Sequence, residues 1–375
     1  RALALLGTAP PTDRTYANQK QAAQILNGLL PKHPDHPGIL HYVIHAFDYP
    51  ELASLALPAA RAYSQVAASS PHALHMPSHI FTRLGLWDES IASNLASAAA
   101  AKAQVARTHP GATSFDDLHA LDYLEYAYLQ HGDDRKAKEV LDEVAKAQRF
   151  DEPNFAAGYA LVAVPARYAL ERRDWATAAA LAAPAAELPW DRFSYAQGIT
   201  SFASALGAAR LGDVERARKG AAELETLHAA LVKEPPAGPY DWAGNVEAMR
   251  LAAAGWVAFA EGRKDEAVKL LTAAADKEEA VGKHPVTPGA VLPAREQLGD
   301  LLLELGKPKE ALAAYEASLA SAPKRFNGLA GAARAADLAG EPARARSFYQ
   351  ELLALCGPSC ARPEAQRAKV VAGGR

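Results

Sequence analysis

A chain of 375 residues is too long for one compact core unless the architecture grows by adding units, so repeats are the first thing to test. The apolar half of the composition rests heavily on alanine, with only 10 Phe and 2 Met, which suits closely packed helices and makes an all-α protein the starting expectation. A formal charge of −3 supplies no basic footprint for neutralising phosphates, which argues against nucleic acid as a partner.

In chain order, RALALLG begins at Arg1 without a methionine and is too short for the apolar core of a signal peptide, so the start reads as that of a trimmed or processed chain. No apolar run approaches the roughly 20 residues needed to cross a bilayer, so the expected protein is soluble, whether cytoplasmic, periplasmic or secreted. Segment 15–30 reads as the second helix of a hairpin whose first helix is missing, which implies further natural sequence before it. First (A) helices of successive hairpins are expected near 38–47, 73–84, 117–130, 155–171, 194–210, 244–260, 290–304 and 326–339, each followed by a second (B) helix.

The hairpins are marked by a glycine followed five residues later by an alanine. Gly306 and Gly340 lie 34 residues apart, as do Ala311 and Ala345, and the pair recurs as Gly132/Ala137, Gly212/Ala217 and Gly262/Ala267. Arg173/Ala178 and Gly85/Ser90 are degenerate copies. Glycine takes the left-handed turn that ends helix A, and the small residue lets helix B approach closely. A 34-residue period of helical hairpins resembles the tetratricopeptide repeat. The expected fold is a tetratricopeptide-like helical-hairpin solenoid, a right-handed superhelix of about seven to eight repeats spanning 1–375, with the most regular repeats at 290–355. The longest insertions are His109–Asp116, Lys233–Asp241 and Glu279–Pro288, and the last carries His284 just ahead of Arg295.

The chemistry is expected in the repeats at 36–131. HPGILHYVIHAFDYPE and PHALHMPSHIFTRLGLWDESIASN place six of the twelve histidines within a short block. His41 and His45 are four apart, so on a helix they share one face and can share one metal ion, with Asp48 on the same face. His75 and His79 repeat that spacing, with His72 one turn before and Arg83 one turn after. Pro77 belongs in a first turn, so this helix is expected to begin near His75, which leaves His72 doubtful as a contributor. On the next A helix His119, Asp122, Tyr123 and Tyr126 form one stripe. Successive A helices stack side by side, which would bring His41, His45, His75, His79 and His119 to one concave groove as metal ligands. Imidazole donors suit Cu, Zn or Fe, and sequence does not choose among them. Tyr123, Arg83 and His284 are the candidate catalytic groups, and Tyr126, Asp122, Asp48, Arg167 and Arg295 the candidate substrate contacts. Arg167 and Glu171 are spaced for an ion pair at the surface or in the groove.

The sequence has no HExxH, GxSxG, GxxxxGK[ST] or GxGxxG motif. Cys356 and Cys360, in CGPSC, can pair or remain thiols. The blocks quoted above, with HALDYLEYAYLQ and KHPVTPGAVLPAREQLGDLLLELG, look like those of a group of bacterial tetratricopeptide proteins, and the likeness covers nearly the whole chain. In that group the helix matching HALDYL often carries a second histidine where this sequence has Asp122. Two functions are therefore expected. One is a metalloenzyme with a mono- or dinuclear site performing oxidative chemistry or metal-assisted hydrolysis. The other is a non-enzymatic module binding a small molecule or peptide in the concave groove.

Overall fold

A computed structural model describes residues 1–10, 13–66, 69–233, 240–357 and 359–373. It is all-α, built from antiparallel helix pairs in the order read from the sequence. Pro37–Phe47 pairs with Ala53–Val66, and Pro71–His75 with Pro77–Arg83 forms one broken A helix that pairs with Trp87–Thr108. Next come Phe115–Gln130 with Asp134–Val144, Phe155–Glu171 with Trp175–Ala180, and Ser194–Leu211 with Val214–Lys233. Trp242–Ala260 with Lys264–Val281, Ala294–Glu304 with Pro308–Ser321, and Phe326–Leu338 with Pro342–Leu355 complete the series.

Local chemistry sets these boundaries. Ser114, Asn154 and Asp241 cap A helices by accepting a hydrogen bond from a backbone N–H in the first turn, and Asp133 and Asp174 do the same for B helices. A helices end where the sequence places them: Gly132, Gly212, Gly262, Gly306 and Gly340 all take positive φ. At the degenerate mark Arg173 adopts φ 55° without glycine's freedom. The small residue five positions on is buried in every copy, Ser90 and Ala178 included.

Two end elements differ from the sequence reading. Segment 15–30 has a partner after all, a short helix Ala2–Gly7 packed on Ala17–Leu29. A further helix, Pro363–Gly373, buries Ala365 and Ala368 against the last hairpin, although its few apolar residues gave no periodic signal. Most of the Lys233–Asp241 insertion (234–239) lies outside the described residues, as does Pro358 of CGPSC. Cys356 and Cys360 are free, with Sγ atoms 2.7 Å apart.

The stack winds round until its C-terminal repeats rest on the A-to-B turns of the histidine-bearing ones. Gly85 takes φ +63°, and a Cβ there would stand 2.7 Å from the Pro323 carbonyl oxygen, so both the turn and the close approach demand glycine. Trp87 Nε1 donates to the Lys324 carbonyl at 2.8 Å, and the Phe326 N–H donates to Gln130 Oε1 at 2.9 Å. Between them sits Arg325, fully buried, which donates to Glu296 at 2.6 Å, to Glu171, and to the Tyr126 hydroxyl at 2.8 Å. Asn327 Nδ2 completes the cluster with a 2.8 Å bond to Glu171 Oε2.

Removing the cation strands two buried carboxylates, so Arg325→Ala is expected to cost about 3–5 kcal/mol in urea unfolding, whereas Arg344→Ala, at an exposed pair, should leave the midpoint nearly unchanged.

Candidate metal centre

Histidines from two consecutive A helices meet, and a pair from the A helix before them lies alongside. Pro77 lacks the N–H that would continue the helix through His75, so the segment divides into Pro71–His75 and Pro77–Arg83. The helix therefore begins at Pro71, earlier than the sequence suggested, with His72 inside it. Across the break, His75 Nε2 and His79 Nε2 remain 3.1 Å apart. His119, from Phe115–Gln130, brings its ring to 4.0 Å from that of His75, measured between centroids. One ligand atom from each of His75, His79 and His119 lies within 4.8 Å of the others, and all three residues are buried. This three-histidine cluster is able to hold a metal ion. Tyr123 lies against it, with its ring 4.7 Å from that of His75 and 5.1 Å from that of His79.

The outer nitrogens are fixed by their partners. His79 Nδ1 is 3.1 Å from Asp48 Oδ2, and burial alone would raise that carboxyl, but Lys283 and Arg83 outweigh burial and hold it well below the usual carboxylate range. Asp48 is therefore an acceptor, and His79 Nδ1 carries the proton. His75 Nδ1 is 2.7 Å from Asn94 Oδ1. The amide nitrogen of Asn94 is engaged by the Ser90 carbonyl at 2.8 Å, an acceptor only, so the oxygen must face His75, and Nδ1 again carries the proton. Burial, reinforced by the neighbouring imidazoles, drives the pKa of His75 and His119 well below 6.5, and burial lowers that of His79 despite Asp48. Neutral rings protonated at Nδ1 point lone pairs from Nε2 at one another across 3.1 Å. Two ligands of a tetrahedral ion with bonds of 2.0–2.1 Å would stand about 3.3 Å apart.

Beside the cluster, His41 Nε2 and His45 Nε2 are 3.0 Å apart, both residues half-buried. Burial lowers their pKa values to about 4 and about 3. The His45 and His79 rings are 6.4 Å apart.

The remaining candidates divide. Arg83 Nε donates to Asp48 Oδ1 at 2.8 Å and Lys283 Nζ to Asp48 Oδ2 at 3.0 Å, so Asp48 and Arg83 stand behind His79. The Tyr123 hydroxyl donates to the Thr287 carbonyl at 2.9 Å and lies 3.4 Å from His79 Nδ1. His284 reaches inward but joins an aromatic group, stacked 4.9 Å from Trp242 and tilted 4.6 Å from Phe155, rather than the three histidines. Asp122 pairs with Arg167 at 2.8 Å and not with His119, because that arginine is buried and needs the charge. Arg167 also takes Glu125 at 2.9 Å, and its expected partner Glu171 goes to Arg325. Tyr126 faces Arg325, and Arg295 pairs with Glu279 and Asp276 at the exterior.

Sequence reasoning did not single out Asn94 or Lys283. A signal for Asn94 existed: Ser90, Ser93, Asn94 and Ser97 follow i, i+3, i+4, i+7, and all are buried. No comparable signal marked Lys283.

Protein-family profiles give no match to the chain, and curated proteins give none. Solved structures give matches. The Cut9–Hcn1 hetero-tetramer of the APC/C matches 99% of this chain with 14% identity and a TM-score of 0.36, and the chain spans only 62% of that protein's length. A tetratricopeptide repeat protein from Parabacteroides merdae matches 81% of this chain and 97% of its own at 12% identity and a TM-score of 0.37. Yeast Tom70 matches 98% of this chain and 90% of its own at 11% identity and a TM-score of 0.35. None of these scores establishes a shared fold, so the repeat architecture rests on the helix pairs and glycine turns themselves.

The buried histidines and buried carboxyls of the metal-free protein pull its stability in opposite directions as pH changes. Below pH 6.5 the unfolded chain protonates histidines that the fold keeps neutral, so their contribution to stability falls as pH falls. Burial raises Glu125 from 4.5 to about 8 and Glu278 from 4.5 to about 7, so from pH 4.5 upward the folded state holds protons the unfolded chain has lost; this opposes the histidines below pH 6.5 and, once they are neutral in both states, is expected to lower stability toward pH 8. Urea midpoints of chelator-treated protein at pH 5, 6.5 and 8 measure both slopes.

Proposed function

We propose that this protein is a metalloenzyme that holds a transition-metal ion through His75, His79 and His119. The supporting observation is the pair of Nε2 lone pairs turned toward each other at 3.1 Å, with both Nδ1 protons committed to Asn94 and Asp48. Buried lone pairs without a partner are costly, and a cation between them removes that cost. Three neutral nitrogen donors leave a coordination position open, as chemistry at a metal requires. No carboxylate belongs to the cluster, which favours copper or zinc over iron of the two-histidine, one-carboxylate kind.

When bound, the ion supplies either a redox couple or a Lewis acid. The chain's own groups favour the former. Base-assisted hydrolysis needs a carboxylate or imidazole free to accept a proton. Asp48, the carboxylate bonded to the cluster, is tied up by Arg83 and Lys283 and held in its ionised form. Tyr123 remains a neutral phenol, its pKa pushed up by burial, and donates to the Thr287 carbonyl. Oxidation of a small molecule, its electrons passing to an external acceptor such as dioxygen, is the reading with most support; metal-assisted hydrolysis, for which the neutral His41 and His45 beside the cluster are the remaining bases, is the second. Kinship with the histidine-bearing tetratricopeptide group whose motifs the chain resembles is part of the same proposal. A peptide held in the groove has less support, because Tyr126 is buried in a hydrogen bond from Arg325 and Arg167 in an ion pair with Asp122.

Protein purified without a tag or added metal is expected to carry transition metal by elemental analysis, and His119→Ala or His119→Gln to lose it with an unchanged circular dichroism spectrum. Metal at 100 times its Kd should add about 2.7 kcal/mol to stability. Protein that stays metal-free, with an unmoved Tm on titration, would sink the proposal. Asn94→Ala frees His75 to turn and is expected to weaken metal binding about 10–100-fold in a competition titration.

A further inference from the structure

We infer that His41, His45 and His72 form a second metal site, which makes the centre dinuclear. The inference rests on the proposed function and deepens it.

The two sets of histidines share a plan, although only in the first does one ligand atom from each member already lie within 4.8 Å of the others. In the first, an i, i+4 pair (His75, His79) is joined by one imidazole from the next A helix, His119. In the second, the pair His41 and His45 on Pro37–Phe47 has Nε2 atoms 3.0 Å apart. It is likewise joined from the next A helix: the His72 ring lies 5.3 Å from that of His41. His72 is exposed and the other two are half-buried, so its side chain can swing to complete the set. The outer nitrogen of His41 faces the Tyr63 hydroxyl at 3.4 Å, the place a ligand's supporting partner takes.

The sets also adjoin. His45 of one and His79 of the other have ring centroids 6.4 Å apart, a separation suited to ligands on neighbouring ions rather than to two unrelated sites. A plain Nε2–H···Nε2 hydrogen bond between His41 and His45 is the competing account of their contact. It gives no reason for His72 to stand beside them, nor for a second pair of identical spacing to face them. The more exposed set is where an exogenous ligand meets the centre first. The class of ion is the imidazole-seeking transition metals, copper foremost.

Copper(II) titrated into the chelator-treated full chain tests this. The wild type should take up two tight equivalents. His41→Ala/His45→Ala, at half-buried positions that tolerate truncation, should take up one, and so should the milder His41→Asn/His45→Asn. Spin integration of the electron paramagnetic resonance signal gives a second readout. Two adjacent copper(II) ions couple, so the doubly loaded wild type should show well under two spins per chain, and the variants one full spin. One equivalent in the wild type, retained in both variants and lost in His119→Ala, would overturn the second site and leave the proposed function standing. Two equivalents with two uncoupled spins would overturn the dinuclear arrangement. No tight equivalent at all would remove both.

Discussion

The guanidinium of Arg325 is surrounded by Glu171, Glu296 and the hydroxyl of Tyr126, and it carries no solvent exposure. Its partners come from three separate repeats, so satisfying one buried cation fixes how far the helical stack must wind before its end meets its middle. Burying such a charge is unfavourable unless its donors are met, and here donors on Nε, Nη1 and Nη2 are engaged. The contact gives geometric definition more than net stability. Once the last repeats are seated on the A-to-B turns, the segment at 282–293 is carried inward, with Lys283 against Asp48 and Thr287 over Tyr123.

That inward segment shapes the electrostatics around the histidines. Asp48 faces two cations, Arg83 and Lys283, so the surroundings of His79 carry a net positive charge before any ion arrives. Burial pulls Lys283 down to about 8, close enough to neutrality that part of this charge can be released. Neutral imidazoles cannot offset the charge of a bound ion. In a site of low polarity, donors of this kind favour the lower of two oxidation states, because each extra unit of charge is poorly solvated.

The scaffold was legible in the sequence because its determinants are local. Gly306 and Gly340 each fix a turn by their own conformational freedom, and Ala311 and Ala345 each admit a neighbouring helix by their own size. The histidine pairs were legible for the same reason, since four residues on a helix is a local distance, and His119 followed from the stacking of A helices. Asp122, Arg167, Tyr126 and Glu171 were placed by neighbours within one helix, whereas burial made them choose partners across repeats. The spacing of a single helix cannot encode a competition among arginines for buried carboxylates. From sequence alone Pro77 leaves His72 doubtful. The break that proline imposes falls after His75, and His72 keeps its place beside His41.

The bond between Lys283 and Asp48 spans 235 residues, and that between Tyr123 and Thr287 spans 164. Repeats can form one after another from nearest-neighbour contacts as the chain grows, and the histidines themselves belong to repeats made early. The charges and the phenol that support them are supplied only when a much later segment arrives, after a long loop has been closed. The histidine cluster thus reaches its final electrostatic state last, when the segment carrying Lys283 and Thr287 closes over Asp48 and Tyr123.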